Sequence, residues 1–598
     1  MSQYRAPTAD MRFILEHIVG LERLSSHDRF AHADLDTVGS LLDEAARFME
    51  EQLVPLNRIG DEVGVRQEGD QIFHPEGFQD AYAKFVEAGW NGISCGGEYG
   101  GGDLPAVVGL AVQEMLTSAN MGFSLCSLLT QGAIDAISHH GDEILQEIYL
   151  PKMISGEWTG TMNLTEPQAG SDVGALNSRA VRADDGTYRV TGTKIFITYG
   201  EHELAENIIH LVLARTPDAP AGTKGISLFL VPKFLVNDDG SLGERNDLRA
   251  VSSEHKLGIH ASPTCVMSYG DDGGAIGYRV GEENAGMRAM FTMMNRARLS
   301  VGLQGLALTE RSYQQARGYA IERKQGKGIG AELPPGESSL IVDHVDVRRM
   351  LMTMRANAEA MRCVMYANAA AMDFAALSDS DEDRQSWEDV VALLTPISKA
   401  WGTDLGVEMT SLGIQVYGGM GYIEETGIGQ HWRDARIAPI YEGTNGIQAA
   451  DLVFRKLSMS GGAVVERFLA EMNSLGEELG ATPELAEVGQ RLLDGVDNLT
   501  ETATWISQKL AVAPNDAAAS SVPFLRLMGI VLGGYYLALS AKAAQGELDA
   551  GAGNVDFLND KIATARLYAE QILPTAAGYV APSMGTAELF FSIPTDRL

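Results

Sequence analysis

The sequence predicts an α+β protein in which a small β-domain sits between helical blocks. Three observations predict it: apolar positions recur at three- and four-residue steps from residue 35, the period drops to two near Gly160, and it returns to the helical value at Gly286. At 598 residues the chain also exceeds what one hydrophobic core usually serves. We read five segments: an N-terminal extension (1–34), an N-terminal α-domain (35–160), a middle β-domain (161–284), a C-terminal α-domain (285–460) and a C-terminal helical extension (461–598).

In the first helical block Leu41, Leu42, Ala45, Phe48, Met49 and Leu53 share one face, and the glycine-rich stretch 96–102 is a loop between helices. No strand pattern precedes that stretch and its spacing is wrong, so it is not a dinucleotide fingerprint. In the β-domain Tyr188 and Val190, Ile195 and Ile197, 208–213 and 226–231 mark strands, with loops at 217–224 and 236–245. Gly461 and Gly462 mark a linker, and a Pro/Ala/Asn-rich break is expected at 514–521. The apolar run 524–539, interrupted by Arg526 and three glycines, reads as a buried helix too short to span a bilayer.

A net charge of −34 excludes a general nucleic-acid surface, because no basic excess exists to neutralise phosphates, and argues against docking on an anionic membrane. The cysteines, Cys95, Cys126, Cys265 and Cys363, are dispersed without a CxxC pair, so neither a metal site nor a disulfide framework is expected. A cytoplasmic setting follows as an expectation.

Four stretches carry possible chemistry. The segment Arg-Asp-Ala-Arg-Ile-Ala-Pro-Ile-Tyr-Glu-Gly-Thr-Asn-Gly-Ile-Gln (433–448) places Glu442 just before a new helix, with Thr444 as N-cap and Thr444 and Gln448 on one helical face. The helix dipole there favours an ionised carboxylate, which suits a general base and equally suits a plain cap. In Leu-Thr-Glu-Pro-Gln-Ala-Gly-Ser-Asp (164–172), Thr165 and Ser171 offer hydroxyls and Gly170 lets a ligand approach, though an ordinary turn has the same composition. In Gly-Thr-Lys-Ile-Phe-Ile-Thr (192–198), alternation puts Phe196 and Thr198 on one strand face and Ile195 and Ile197 on the other, a surface for a ring system or a core edge. Gly418, Gly419 and Gly421 in Gln-Val-Tyr-Gly-Gly-Met-Gly-Tyr (415–422) are first a helix C-cap and turn, second a close approach to a ligand. The helix from Gly286 adds Arg298 on the stripe of Met287, Met290, Phe291, Met294 and Val301, where it either snorkels or meets an anion. Between residues 290 and 360 ten Arg and Lys outnumber seven Asp and Glu, an island where an anionic ligand would collect.

The order and spacing of these motifs, with Glu-Arg-Lys (322–324) between them, resemble the acyl-CoA dehydrogenase family over residues 35 to 458, and the long C-terminal extension resembles its long bacterial branch. The resemblance implies FAD, with Met162, Leu164, Thr165, Gly170, Ser171, Phe196, Thr198, Thr444 and Gln448 as contacts, and Arg323, Gln415 and Gly419 contacting the FAD of a neighbouring subunit. A homodimer or dimer of dimers follows. It also implies Glu442 as catalytic base, Ser171, Asn295 and Arg298 as substrate contacts, no metal, and electron transfer flavoprotein as acceptor. The implied reaction converts an acyl-CoA to its 2-enoyl-CoA. On branch resemblance the acyl group is 3-methylthiopropanoyl, with a short or medium straight chain as alternative; an oxygen-using oxidase and a silent acyl-CoA-binding protein are the rival classes.

Overall fold

The structure is a computed structural model that describes residues 4–237 and 239–598, apart from the side chains of residues 292, 293 and 295. Packing divides the chain differently from the five segments read along the sequence. One compact unit comprises residues 1–46, 105–118 and 298–598, and the other 47–104 and 119–297. A helix contiguous in sequence with one block can bury its apolar face in another, which a linear reading does not register.

The first unit is helical. Its long elements are Gly286–Ala320 from residue 298 onward, Val345–Leu377 and Asp381–Val416, followed by the short helix Asn445–Asp451. Glycines set how closely two of them cross. A Cβ on Gly302 would lie 2.3 Å from the Ser398 carbonyl and one on Gly305 2.1 Å from that of Gly402, so backbone meets backbone. The C-terminal extension contributes Ala463–Gly480, Ala486–Val512, Pro514–Asp549 and Val555–Leu567.

Two expectations about that extension are corrected. No break occurs at 514–521, because the helix Pro514–Asp549 starts there, with Pro514 in the first turn where a missing N–H costs nothing. The run 524–539 belongs to this 36-residue helix, which is long and apolar enough to cross a membrane by length and composition; 78% of its most apolar window is buried inside the protein. Its glycines seat it on the core, since a Cβ on Gly529 would lie 2.4 Å from the Trp401 ring.

The second unit holds the strands. A hairpin of β1 (Arg66–Glu68) and β2 (Gln71–Phe73) interrupts the block read as wholly helical; three-residue strands are too short to impose a period. The main sheet uses β3 (Trp158–Asn163), β4 (Arg179–Arg182), β5 (Tyr188–Thr198), β6 (Asn207–Ala214) and β7 (Ser227–Pro232). After a second hairpin, β8 (Phe234–Val236) and β9 (Leu242–Arg245), it adds β10 (Leu248–Ser253), β11 (Thr264–Tyr269) and β12 (Ala275–Val280). The second hairpin lies where the sequence suggested a loop at 236–245. The order is β10-β11-β5-β12-β7-β6-β3 with β4 paired to β5, and of these pairs only β3 and β6 run parallel. β3, β6 and β7 are buried on both faces; β6 and β7 are accordingly near-continuous apolar runs, whereas β3 buries Thr159, Thr161 and Asn163 with hydrogen-bond partners. The helix Met121–His140 packs on β3, where a Cβ on Gly160 would lie 2.4 Å from that of Ala133.

Candidate active site

In the second unit, two of the sequence motifs are fastened together by a buried ion pair. Lys194 Nζ on β5 lies 2.8 Å from Glu166 Oε1 and donates to the Leu164 carbonyl at 3.1 Å. Glu166 also accepts from the backbone N–H of Asn177 and Ser178 and from the Ser178 hydroxyl. Burial raises the Glu166 carboxyl, but Lys194 and these donors prevail and hold it at about 2. For Lys194 burial outweighs the attraction of Glu166, and its pKa falls to about 8. The Lys194 charge, with hydrogen bonds from Lys194, Ser178 and the Asn177 N–H, holds Glu166 in its ionised form as the partner of Lys194. Loop and strand meet again where the Ile195 N–H donates to the Thr165 carbonyl at 2.9 Å. Neither Glu166 nor Lys194 stood out in the sequence, although each sits inside a motif quoted there.

This fastening shapes β5. Its register against β11 slips between Met267 and Cys265, so Ile195 and Phe196 form a bulge and the strict alternation expected for Ile195 and Ile197 does not hold. Ile197 enters the sheet core, Ile195 is half-buried, and Phe196 is 60% exposed with φ +59°. A large aromatic in the left-handed region, turned outward beside the half-buried Thr198, is costly for the chain alone and fits a planar ligand. Met162 is buried on β3, Leu164 and Thr165 are half-buried, and Gly170 and Ser171 are exposed. Among the described residues, nothing beyond its chain neighbours would lie within 4 Å of a Cβ on Gly170.

In the first unit, Glu442 sits in a tight turn at φ +57°, followed by Gly443 at +84°. A non-glycine residue there costs about 1–3 kcal/mol and persists only where its surroundings impose it. Asn445 imposes it. Its amide donates to the Ala400 carbonyl, Thr403 Oγ1 and Asp404 Oδ1, and its Oδ1 accepts from Lys399 Nζ at 2.8 Å. Tyr441 adds a hydrogen bond to Gln304. Thr444 is the N-cap, accepting from the Ile447 N–H at 3.3 Å, as the sequence suggested. The buried face of the helix is Gln448, Ala449, Leu452 and Val453, whereas Ile447 is exposed.

The glycine crossing brings Arg298 and Lys399 to this turn. Burial raises the Glu442 pKa, with Arg298 and then Lys399 acting against it. This corrects the helix-dipole expectation: a dipole end contributes a few tenths of a kcal/mol, and desolvation of a carboxylate exceeds it. Burial likewise lowers Arg298, with Asp451 and Glu442 acting against it, and its buried Nε has no hydrogen-bond partner among the described residues. Gln448 is fully buried, and neither its Oε1 nor its Nε2 has a hydrogen-bond partner among the described residues. An unmet buried amide of this kind fits a polar ligand such as FAD.

The remaining expected positions are Arg323, Gln415 and Gly419, all exposed on the same unit. Arg323 donates to Gln325, and the helix preceding Gly418 ends at Val416 with Tyr417 stacked on Tyr319 at 4.0 Å. The basic island does not gather at one point, since Arg296, Arg349 and Arg355 pair with Asp135, Asp346 and Glu359. Phe291 is exposed rather than on the buried stripe, and the Asn295 side chain lies outside the described residues.

Four family models match in sequence: the acyl-CoA dehydrogenase N-terminal domain over residues 37–157, the middle domain over 161–271, the C-terminal domain over 284–457, and the acetyl-CoA dehydrogenase C-terminal-like domain over 465–594. The chain therefore belongs to the acyl-CoA dehydrogenase family, FAD-dependent oxidoreductases acting on CH–CH groups. It is 46% identical to the 3-methylmercaptopropionyl-CoA dehydrogenase of Ruegeria pomeroyi over 95% of this chain and 96% of that protein. To a butyryl-CoA dehydrogenase of Syntrophomonas wolfei it is 33% identical over 96% of both. The structure of an acyl-CoA dehydrogenase from Bacillus anthracis complexed with FAD superposes with a TM-score of 0.73 at 19% identity, covering 91% of this chain and 87% of that one.

Proposed function

We propose that this acyl-CoA dehydrogenase converts 3-methylthiopropanoyl-CoA to 3-methylthioacryloyl-CoA. The observation that carries the reading is the 46% identity to the Ruegeria enzyme across nearly its whole length, extension included, against 33% to the butyryl-CoA enzyme. Glu442 takes the proton from Cα of the thioester. An α-proton is too weakly acidic for a free carboxylate, so the backbone N–H of Glu442 steadies the developing negative charge on the thioester oxygen. Burial raises the proton affinity of Glu442, which strengthens it as a base. FAD, when bound, supplies the acceptor for the hydride from Cβ.

In this reading Thr165, Ser171, Phe196 and Thr198 are the cofactor contacts of the second unit and Asn295 its substrate contact; within the first unit, Thr444 and Gln448 take the cofactor part and Arg298 the substrate part. Arg323, Gln415 and Gly419, exposed in the single chain, serve a second copy in a homodimer. Electron transfer flavoprotein is the acceptor we infer, and buried, unbridged cysteines accord with a cytoplasmic setting.

The test is kcat/KM across a panel of acyl-CoA esters with a dye acceptor. We expect the methylthio substrate to exceed butyryl-CoA by about tenfold or more, the discrimination a shaped apolar pocket supplies. A reversed ranking assigns the straight-chain substrate instead, the second reading that the Syntrophomonas relative supports.

A further inference from the structure

Lys399 is fully buried, and no reading of the sequence gave it a part. It stands on the helix Asp381–Val416 at the glycine crossing, where Gly302 meets the carbonyl of its neighbour Ser398. Its ammonium donates to Oδ1 of Asn445, the residue whose amide fixes the Glu442 turn at three points on the same helix. Three charged groups face it: Glu442 from the turn, Asp404 one turn along its own helix, and Arg298 from the crossing helix. Asp404 in turn faces Glu408 and, from the helix Pro514–Asp549, Arg526. A buried ammonium needs a reason to be retained, because leaving water costs it several kcal/mol.

Building on the reading of Glu442 as base, we propose that Lys399 is its positioning residue: through Asn445 it holds the strained turn, and its charge keeps the Glu442 carboxyl ionised and ready to accept the α-proton. Arg298 shares the electrostatic part, and Asp404 also holds Asn445 but carries the opposite charge, so among the described residues Lys399 is the cation that couples the geometry of the turn to its charge. The arrangement also limits itself. Burial lowers Lys399 to about 7, so its charge is present on the acid side, where Glu442 would otherwise take up a proton. Above that pH Lys399 turns neutral and its share of the field at Glu442 is lost.

Two variants separate tether from charge. Lys399→Gln keeps an N–H donor for Asn445 and removes the charge; Lys399→Arg keeps the charge. For kcat/KM against pH, we expect the acid limb of Lys399→Gln to move up by about one pH unit, the size of an opposite-charge effect at short range, and that of Lys399→Arg to stay in place. A carbon-13 NMR titration of the Glu442 carboxyl in the substrate-free protein, assigned by its loss in Glu442→Gln, should show the same shift. An unmoved limb and an unmoved titration in folded, FAD-replete Lys399→Gln overturn the proposal. Should that variant fail to fold, the wild-type carboxyl signal decides: it must report a neighbouring titration at about pH 7, and a flat response there overturns the coupling. Because the carboxyl titration needs no substrate, its failure stays distinct from a flavin that no acyl-CoA reduces, which would overturn the reaction itself.

Discussion

At Glu442 burial and two cations act in opposite directions, and burial prevails. A base whose proton affinity is raised works only above that raised value, so activity should fall with decreasing pH at a point above the ordinary carboxylate range. Glu442→Gln removes the base while keeping shape and the backbone N–H. We expect turnover to drop by roughly three orders of magnitude or more, with FAD content and acyl-CoA binding retained; near-normal dye-coupled activity in that variant would transfer the role to another residue. The sequence singled out this residue as the candidate base from the motif around it, and its neighbour Thr444 as a helix cap from the spacing alone; the cap is seen in the structure. Its electrostatics were not. Arg298 and Lys399 lie far away in sequence, and their convergence depends on glycines whose partners no local pattern names.

Among elements, the helix Pro514–Asp549 shows how composition misleads without packing. Read alone, its apolar stretch seemed short and broken by glycines; in the fold those glycines are contact points, Gly529 on Trp401 and Gly533 on Trp401 and Tyr568. Trp401 belongs to the helix that carries Lys399 and Asp404, so the extension backs the wall behind the Glu442 turn. Gly529→Ala would press a methyl into the indole. Overpacking of this kind costs about 1–3 kcal/mol, and we expect a lower Tm with unchanged FAD content. An unchanged or higher Tm would mean the ring yields freely, and that the extension is not seated as tightly as its geometry indicates. On β5 the limit on sequence reading was different: alternation set Phe196 and Thr198 on one face without deciding which face was buried, and missed the bulge that lies beside the Glu166–Lys194 clamp.

For the molecule as a whole, a buried ion network ties distant parts of the first unit together. Arg362 binds Glu114 through Nε and Nη2, Asp10 at 2.5 Å and Glu310 at 2.9 Å, and Tyr366 donates to Glu114. Lys561 from the C-terminal extension joins Asp10 at 2.6 Å to Glu359 at 2.8 Å. Burial pushes Asp10 up, yet Lys561 and Arg362 together hold it below the ordinary aspartate range, whereas at Glu114 burial outweighs Arg362 and raises the carboxyl. Lys561→Met would take one of two cations from Asp10 and from Glu359, which keep Arg362 and Arg355, and we expect a loss toward the lower end of the range for a broken buried pair, about 3 kcal/mol. Urea unfolding should show the midpoint falling with little change in slope, and a midpoint equal to wild type would reduce the network to ornament on an apolar core. By itself the sequence determined the α, β, α order, the helical extension and the family motifs, because periodicity, turn residues and short motifs are local properties. Only the tertiary structure decided which carboxylates keep their charge, which glycines are contacts and which lysine stands beside the base. Those depend on desolvation and on the meeting of residues far apart in the chain, and both come into being only when the chain is packed.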